Sequence, residues 1–193
     1  MKIAPITERW NEGECDWSFV ENPRVEIESW EKREGLSLPE SYRKFMLQYN
    51  GGRVYPQTFR TEAGVGLMLG PYVCQSDEAY CEYILSWTSV ESHWRGDIFG
   101  KGVPPKHLVF AGTPGSIELL MSMTEENYGK IYSWIHTNSD WGEEGNNLIF
   151  LLANSFTEFL SSLYDDEEKN GYQNWWTPLY NELAKEFQLD ELQ

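Results

Sequence analysis

The stretch "LPESYRKFMLQYNGG", Leu38 to Gly52, constrains the local geometry of this chain more than any other. Pro39 holds Leu38 extended and, with its own φ fixed, suits the first turn of a helix. Ser37 stands where a cap is needed, and Glu40 faces the positive helix end. Tyr42, Phe45, Met46 and Tyr49 recur at three- and four-residue spacing, opposite Arg43, Lys44 and Gln48, which predicts a helix with one buried stripe. Asn50, Gly51 and Gly52 tolerate positive φ, so the helix ends there and the chain turns toward a strand at Val54 and Tyr55. None of this demands a ligand.

The flanking sequence extends the pattern. Val25 to Glu34 reads as a helix with Ile27 and Trp30 inward and Gly35 closing it. "VYPQTFR" and "VGLMLG" read as short strands, about Ser76 to Leu85 as a helix, and Ser89 to Trp94 as a second short helix. "HLVFA" (107–111), "IELLMSM" (117–123) and "KIYSWIH" (130–136), joined by the turns "GTPGS" and "TEENYG", predict an antiparallel meander. "LIFLLA" (148–153) reads as a last, fully buried strand. Asn154 or Ser155 then caps a helix with the stripe Phe156, Phe159, Leu160 and Leu163. Thr177 and Pro178 open a C-terminal amphipathic helix through Leu179, Leu183 and Phe187, led in by Trp175 and Trp176. The expectation is α+β: a single domain with a central, mainly antiparallel sheet flanked by N-terminal and C-terminal helices.

Length and composition agree with one domain over residues 1–193, its core at about 25–164 and a helical extension at 165–193. Hydrophobic residues make up 40% and aromatic residues 15%, too much for a disordered chain. No apolar run approaches the roughly 20 residues that cross a bilayer, and the N-terminus lacks the apolar stretch of a signal peptide, so a cytoplasmic protein is expected. Cys15, Cys74 and Cys81 form no CxxC pair and are odd in number, which argues for reduced thiols rather than a disulfide framework or a zinc site.

Charge narrows the partners. Fifteen Lys and Arg stand against 31 Asp and Glu, a formal net charge of −16. Between His107 and Glu168 the one Lys or Arg is Lys130, against eleven acidic residues. Such a chain repels phosphate backbones and anionic membranes, so neither nucleic acid nor membrane is expected, and a basic protein is the favoured partner.

Signatures of chemistry are scarce. His93, His107 and His136 are far apart and begin no HxxxH or HExxH; His93 and Asp97 share a helical spacing that Gly96 interrupts. There is no GxSxG elbow, P-loop or dinucleotide fingerprint. Oxygen ligands gather at Asp140, Glu143 and Glu144, but not at the spacing of a calcium loop. With Trp141 among them, that loop suits a protein interface better, and Asp77, Glu78 and Glu82 form a second acidic candidate. No catalytic, metal or cofactor residue is indicated. A hydrolase built on two carboxylates stays open in principle, because 31 acids single out no pair.

The segments "IESWEKREGLSLPESYRKFMLQYNGG", "LVFAGTPGSIELLMSM" and "LLANSFTEFLSSLY", in that order, resemble the SMI1/KNR4 family of the SUKH superfamily over about residues 25 to 164. The positions carrying the resemblance are Leu38, Pro39, Tyr42, Phe45, Asn50, Gly51, Gly52, Phe110, Gly115, Ser155, Phe156 and Phe159, and they read as fold-defining. The resemblance implies an α+β domain without catalysis or cofactor. Bacterial members are immunity proteins that neutralise secreted polymorphic toxins, often nucleases; fungal relatives regulate cell-wall synthesis and signalling through protein contacts. The aromatic segment at about 72–99 and the extension 165–193 lie outside the family pattern. The function expected is a non-enzymatic immunity protein for a basic toxin domain, with a regulatory or scaffold module as the alternative.

Overall fold

The structure, a computed structural model, describes residues 1–4, 22–69, 72–113, 117–143, 145–165 and 184–192, with 63–69 and 72–76 described as backbone only. It is an α+β domain in which every paired strand is antiparallel to its neighbour.

Two helices open the described core. In α1 (Arg24–Glu34) Ile27 and Trp30 are buried, and Gly35 at φ 65° terminates the helix. In α2 (Glu40–Tyr49) Tyr42, Phe45 and Met46 form the buried stripe. The expected cap is not made: Pro39, at ψ 134°, occupies the cap position with no side-chain acceptor. The neighbourhood of Ser37 is fixed from outside instead. The Glu31 carboxylate accepts from the Leu38 N–H at 3.0 Å, and Tyr128 Oη donates to the Ser37 carbonyl at 2.6 Å.

The strands form three sheets. β1 (Lys2–Ala4) pairs with β2 (Arg53–Tyr55) on one side and β10 (Lys185–Glu186) on the other. β3 (Thr58–Leu69) and β4 (Tyr72–Tyr80) make a long hairpin with a register shift between Arg60 and Val65. The largest sheet has the order β5 (Tyr83–Ile84), β6 (His107–Gly112), β7 (Ile117–Ser122), β8 (Ile131–Ile135) and β9 (Ile149–Ala153). The single bridge between Gly52 and Ile84 joins the first sheet to the third, and Thr58 bridges Tyr164. α3 (Trp87–Trp94) follows β5, and α4 (Phe156–Ser162) follows β9.

Aromatic rings knit the layers together. Tyr42 meets Phe110 at 5.9 Å and Phe156 at 5.1 Å, Phe45 meets Phe156 at 5.2 Å, and Phe110 meets Phe159 at 6.0 Å, all edge to face. Each such pair adds about 0.5–1.5 kcal/mol beyond burial. Across the other side of α1, Trp30 packs edge-on against Trp87 and Trp94.

Four expectations need correction. No helix forms at 76–85: β4 runs to Tyr80 and β5 takes Tyr83–Ile84, and through Glu78, Ala79, Tyr80 and Cys81 half-buried and buried residues alternate, with β4 locked by pairing with β3. The two short strands read around Gly64 are β2 followed, after a cis Tyr55–Pro56 bond, by one 12-residue strand. β9 is an edge strand, not fully buried, with Leu151 54% exposed and Leu148 just before it 63% exposed. At the C-terminus, Lys185–Glu186 extends along β1 and a short 3-10 turn closes at Leu189–Leu192. Phe187 is buried as its apolar periodicity suggested, but as part of an extended segment against Phe45 and Tyr49. The sequence-predicted helix residues 177–183 lie outside the described residues, as do Trp175 and Trp176.

Candidate functional site

The end of α2 sets the position of α3. Asn50 takes the left-handed conformation at φ 49°, and its side-chain Oδ1 accepts the Trp87 backbone N–H at 2.8 Å in a buried contact. Gly51 follows at φ 87°, where a Cβ would lie 2.6 Å from the Ile84 carbonyl oxygen, so glycine alone lets α2 approach the β5–α3 connection this closely. Ser86 then caps α3, its Oγ accepting from Ser89 N.

Between α3 and the sheet lies a cleft of about 430 Å³. One wall is the cap and one side of α3, with Ser86, Ser89, Ser92 and His93. Tyr83 and Leu85 come from the β5 side, and Ile98 and Phe99 from the segment after α3. From the sheet comes one carboxyl, Glu118 on β7, the central strand.

Glu118 interrupts the apolar run of β7 opposite Gly112 on β6 and Trp134 on β8. Burial in the cleft pushes its carboxyl up to about 8, with no cation to oppose the effect. His93 is held below its ordinary value by burial, partly offset by a hydrogen bond to Ser89. That bond, from Nδ1 to the Ser89 carbonyl at 2.7 Å, makes Nδ1 the donor and leaves Nε2 as an acceptor in the neutral ring. At neutral pH both groups are therefore mostly uncharged. Asp97, four residues on, does not meet His93: the chain turns at Gly96, φ 81°, and Asp97 bonds to Arg95 and Ser92 instead.

The acidic loop after β8 is tied to the segment that walls the cleft. Asn146 is buried and satisfied on three sides: its Nδ2 donates to the carbonyls of Gly102 at 2.8 Å and Ser139 at 2.9 Å, and its Oδ1 accepts from Trp134 Nε1 at 2.7 Å. Trp141 N donates to the Lys101 carbonyl at 2.9 Å. The Trp134 ring packs on Phe99, which also meets His93 and His136. Asp140 and Glu143 are exposed and share one turn, with Glu143 N donating to the Asp140 carbonyl, and Trp141 is half-buried. Glu144 lies outside the described residues, and so does Gly115.

The second acidic group is elsewhere and is itself divided. Asp77 is exposed on β4, and Glu78 beside it accepts from Tyr164 Oη at 2.6 Å. Glu82 precedes the cleft residue Tyr83 and lies 3.9 Å from Arg53. Three of the residues that shape the site, Glu118, Asn146 and Ser86, are not singled out by their sequence patterns. A charge inside an apolar strand was the available signal for Glu118.

Among the described residues no group of His, Cys, Asp and Glu could hold a metal ion, and no helix is long and apolar enough to cross a membrane. Cys81 is buried, its thiol pushed up to about 12 by desolvation, which makes it inert. The side chains of Cys15 and Cys74 lie outside the described residues.

The model of the SMI1 / KNR4 family (SUKH-1) matches residues 23–162. The chain belongs to this family. The match runs from the start of α1 to the last residue of α4, so it takes in the helix pair, the interlocked Asn50–Gly52 turn, the cleft and the acidic loop of this SUKH-1 domain. No individual curated protein matches the chain.

Proposed function

We propose that this SUKH-1 protein is a non-enzymatic immunity protein that acts in the cytoplasm by binding and neutralising a basic toxin domain, as bacterial members of the family do. The observation carrying the reading is the family match combined with a net charge of −16. An inhibitor of a nuclease gains encounter rate and partner choice by presenting the polyanion its target seeks. Asp140 and Glu143, exposed on a loop held by Asn146, are the proposed contacts, with Glu144, Asp77, Glu78 and Glu82 as further candidates and Trp141 supplying apolar area.

The same geometry favours binding over hydrolysis. A carboxylate hydrolase needs two carboxyls facing each other, and Glu118 is the one carboxyl among the described residues that line the cleft. Neither a cofactor, a nucleic acid nor a membrane enters the proposal.

Co-expression with a toxin module encoded beside this chain tests it. The expected result is rescue of growth and a stable one-to-one complex whose affinity falls with added salt. Absence of both rescue and complex would remove the immunity role and favour a regulatory or scaffold module without a toxin.

A further inference from the structure

We propose that the cleft between α3 and the sheet receives an arginine side chain of the protein partner, with Glu118 as the carboxylate it pairs with. The inference rests on the reading above, in which the partner is a basic protein, and adds the chemistry of one contact.

Three features of the cleft point to arginine. The first is an excess of acceptors. Glu118 carries no hydrogen bond to any described residue, His93 offers Nε2, and Ser92, whose Oγ–H is directed to Asp97, keeps lone pairs. A guanidinium brings five donors and no acceptor, the complement of such a surface. The second is aromatic lining: Tyr83 and Phe99 are among the residues that line the cleft, and a planar guanidinium packs on aromatic rings better than an ammonium does. The third is charge. Among the described residues no Lys or Arg lines the cleft, so no side-chain cation competes for Glu118. The volume, about 430 Å³, is in the range of a site for a small group rather than for a folded segment.

Binding is then coupled to a proton. The titratable groups that line the cleft with Glu118 are His93 from α3 and Tyr83 from β5, and His136 packs on the lining residue Phe99; His93 and His136 are both held below their ordinary values by burial. At neutral pH Glu118 is mostly protonated, and an entering guanidinium ionises it. One proton leaves per arginine bound. Affinity therefore rises about tenfold per pH unit from pH 6 toward 7 and levels off above the carboxyl's midpoint of about 8.

The test uses the full chain and three probes, acetyl-arginine methylamide, acetyl-lysine methylamide and acetyl-citrulline methylamide, the last an uncharged near-isostere of arginine. Resonances of Ser89, Ser92, Phe99 and the Glu118 carboxyl carbon are followed by NMR. The arginine probe is expected to shift these signals, to lower the Glu118 titration midpoint, and to bind at least roughly tenfold more tightly than citrulline. Glu118→Gln, which imitates the neutral carboxyl and so keeps the fold, is expected to remove that preference. Silent resonances, equal binding of arginine and citrulline, or an unchanged affinity in Glu118→Gln overturns the site; preference for the lysine probe overturns the assignment to arginine. Rescue by a wild-type chain whose cleft ignores the probes sinks this inference alone. Probe binding without rescue or complex formation sinks the immunity reading and leaves an arginine site.

Discussion

Asn50 and Trp87, 37 residues apart, are joined by a buried 2.8 Å hydrogen bond from the Trp87 backbone N–H to the Asn50 side chain. The bond links the end of one helix to the first turn of another, and it depends on the left-handed backbone at Asn50. Asn50→Gly keeps that backbone and loses the acceptor, so it is expected to cost about 1–3 kcal/mol, the penalty of an orphaned buried donor. Asn50→Ala adds strain and costs more. Gly51→Ala combines positive φ with a Cβ 2.6 Å from the Ile84 carbonyl, and is expected to be the most damaging of the three. Thermal unfolding checks the order, at about 2–4 °C per kcal/mol for a chain of this size.

The same turn shows what the sequence could and could not disclose. Asn-Gly-Gly after an apolar stripe announces a helix end, because only local sterics decide it. That Asn50 reaches Trp87, and that Ile84 crowds Gly51, is long-range and leaves no periodicity. The error at 76–85 has the same origin: Asp-Glu-Ala-Tyr is neutral toward helix, and pairing with β3 decides for strand. β9 differs for another reason: an unbroken apolar run suggests burial on both faces, whereas a sheet edge leaves Leu151 open. At the site, the exposed acids of the loop were legible as charge. Asn146, which holds the loop, reads in sequence as one more polar loop residue.

Asn146 supplies a test of that anchoring. Asn146→Ala strands Trp134 Nε1 and two carbonyls in the interior, an expected loss of about 2–4 kcal/mol by chemical denaturation. Asn146→Asp still accepts from Trp134 but turns a carboxylate toward the carbonyls of Gly102 and Ser139. Its deficit relative to wild type is expected to shrink as pH falls and the new carboxyl is protonated and able to donate to one of them.

Glu118 makes stability depend on pH with a defined sign. Its carboxyl is raised from 4.5 in the unfolded chain to about 8 in the folded one, so between those values the folded state holds more protons. The contribution is favourable at low pH, falls as pH rises through that window, and is level above about 8. The lowered histidines, His93, His107 and His136, act oppositely and remove stability as pH falls below 6.5. Comparing Glu118→Gln with wild type isolates the carboxyl. The variant is expected to melt near the wild-type temperature at pH 5 and several degrees higher at pH 8.5; equal melting temperatures at both pH values would show that the carboxyl is not desolvated.

Asp140 and Glu143 separate binding from folding. Both are exposed, and their loop is fixed through backbone groups and Asn146 rather than through their own carboxylates. Asp140→Lys with Glu143→Lys is therefore expected to leave the melting temperature within about 2 °C of wild type, the scale of a surface change. On the immunity reading proposed above, the same pair reverses the local field that would draw a basic partner. Its effect is expected chiefly on the association rate, about tenfold or more at low salt and fading as ionic strength rises and the Debye length contracts. Stopped-flow association with the toxin module identified by co-expression, run across a salt series, distinguishes this from a lost packing contact, which would raise the dissociation rate equally at every salt concentration.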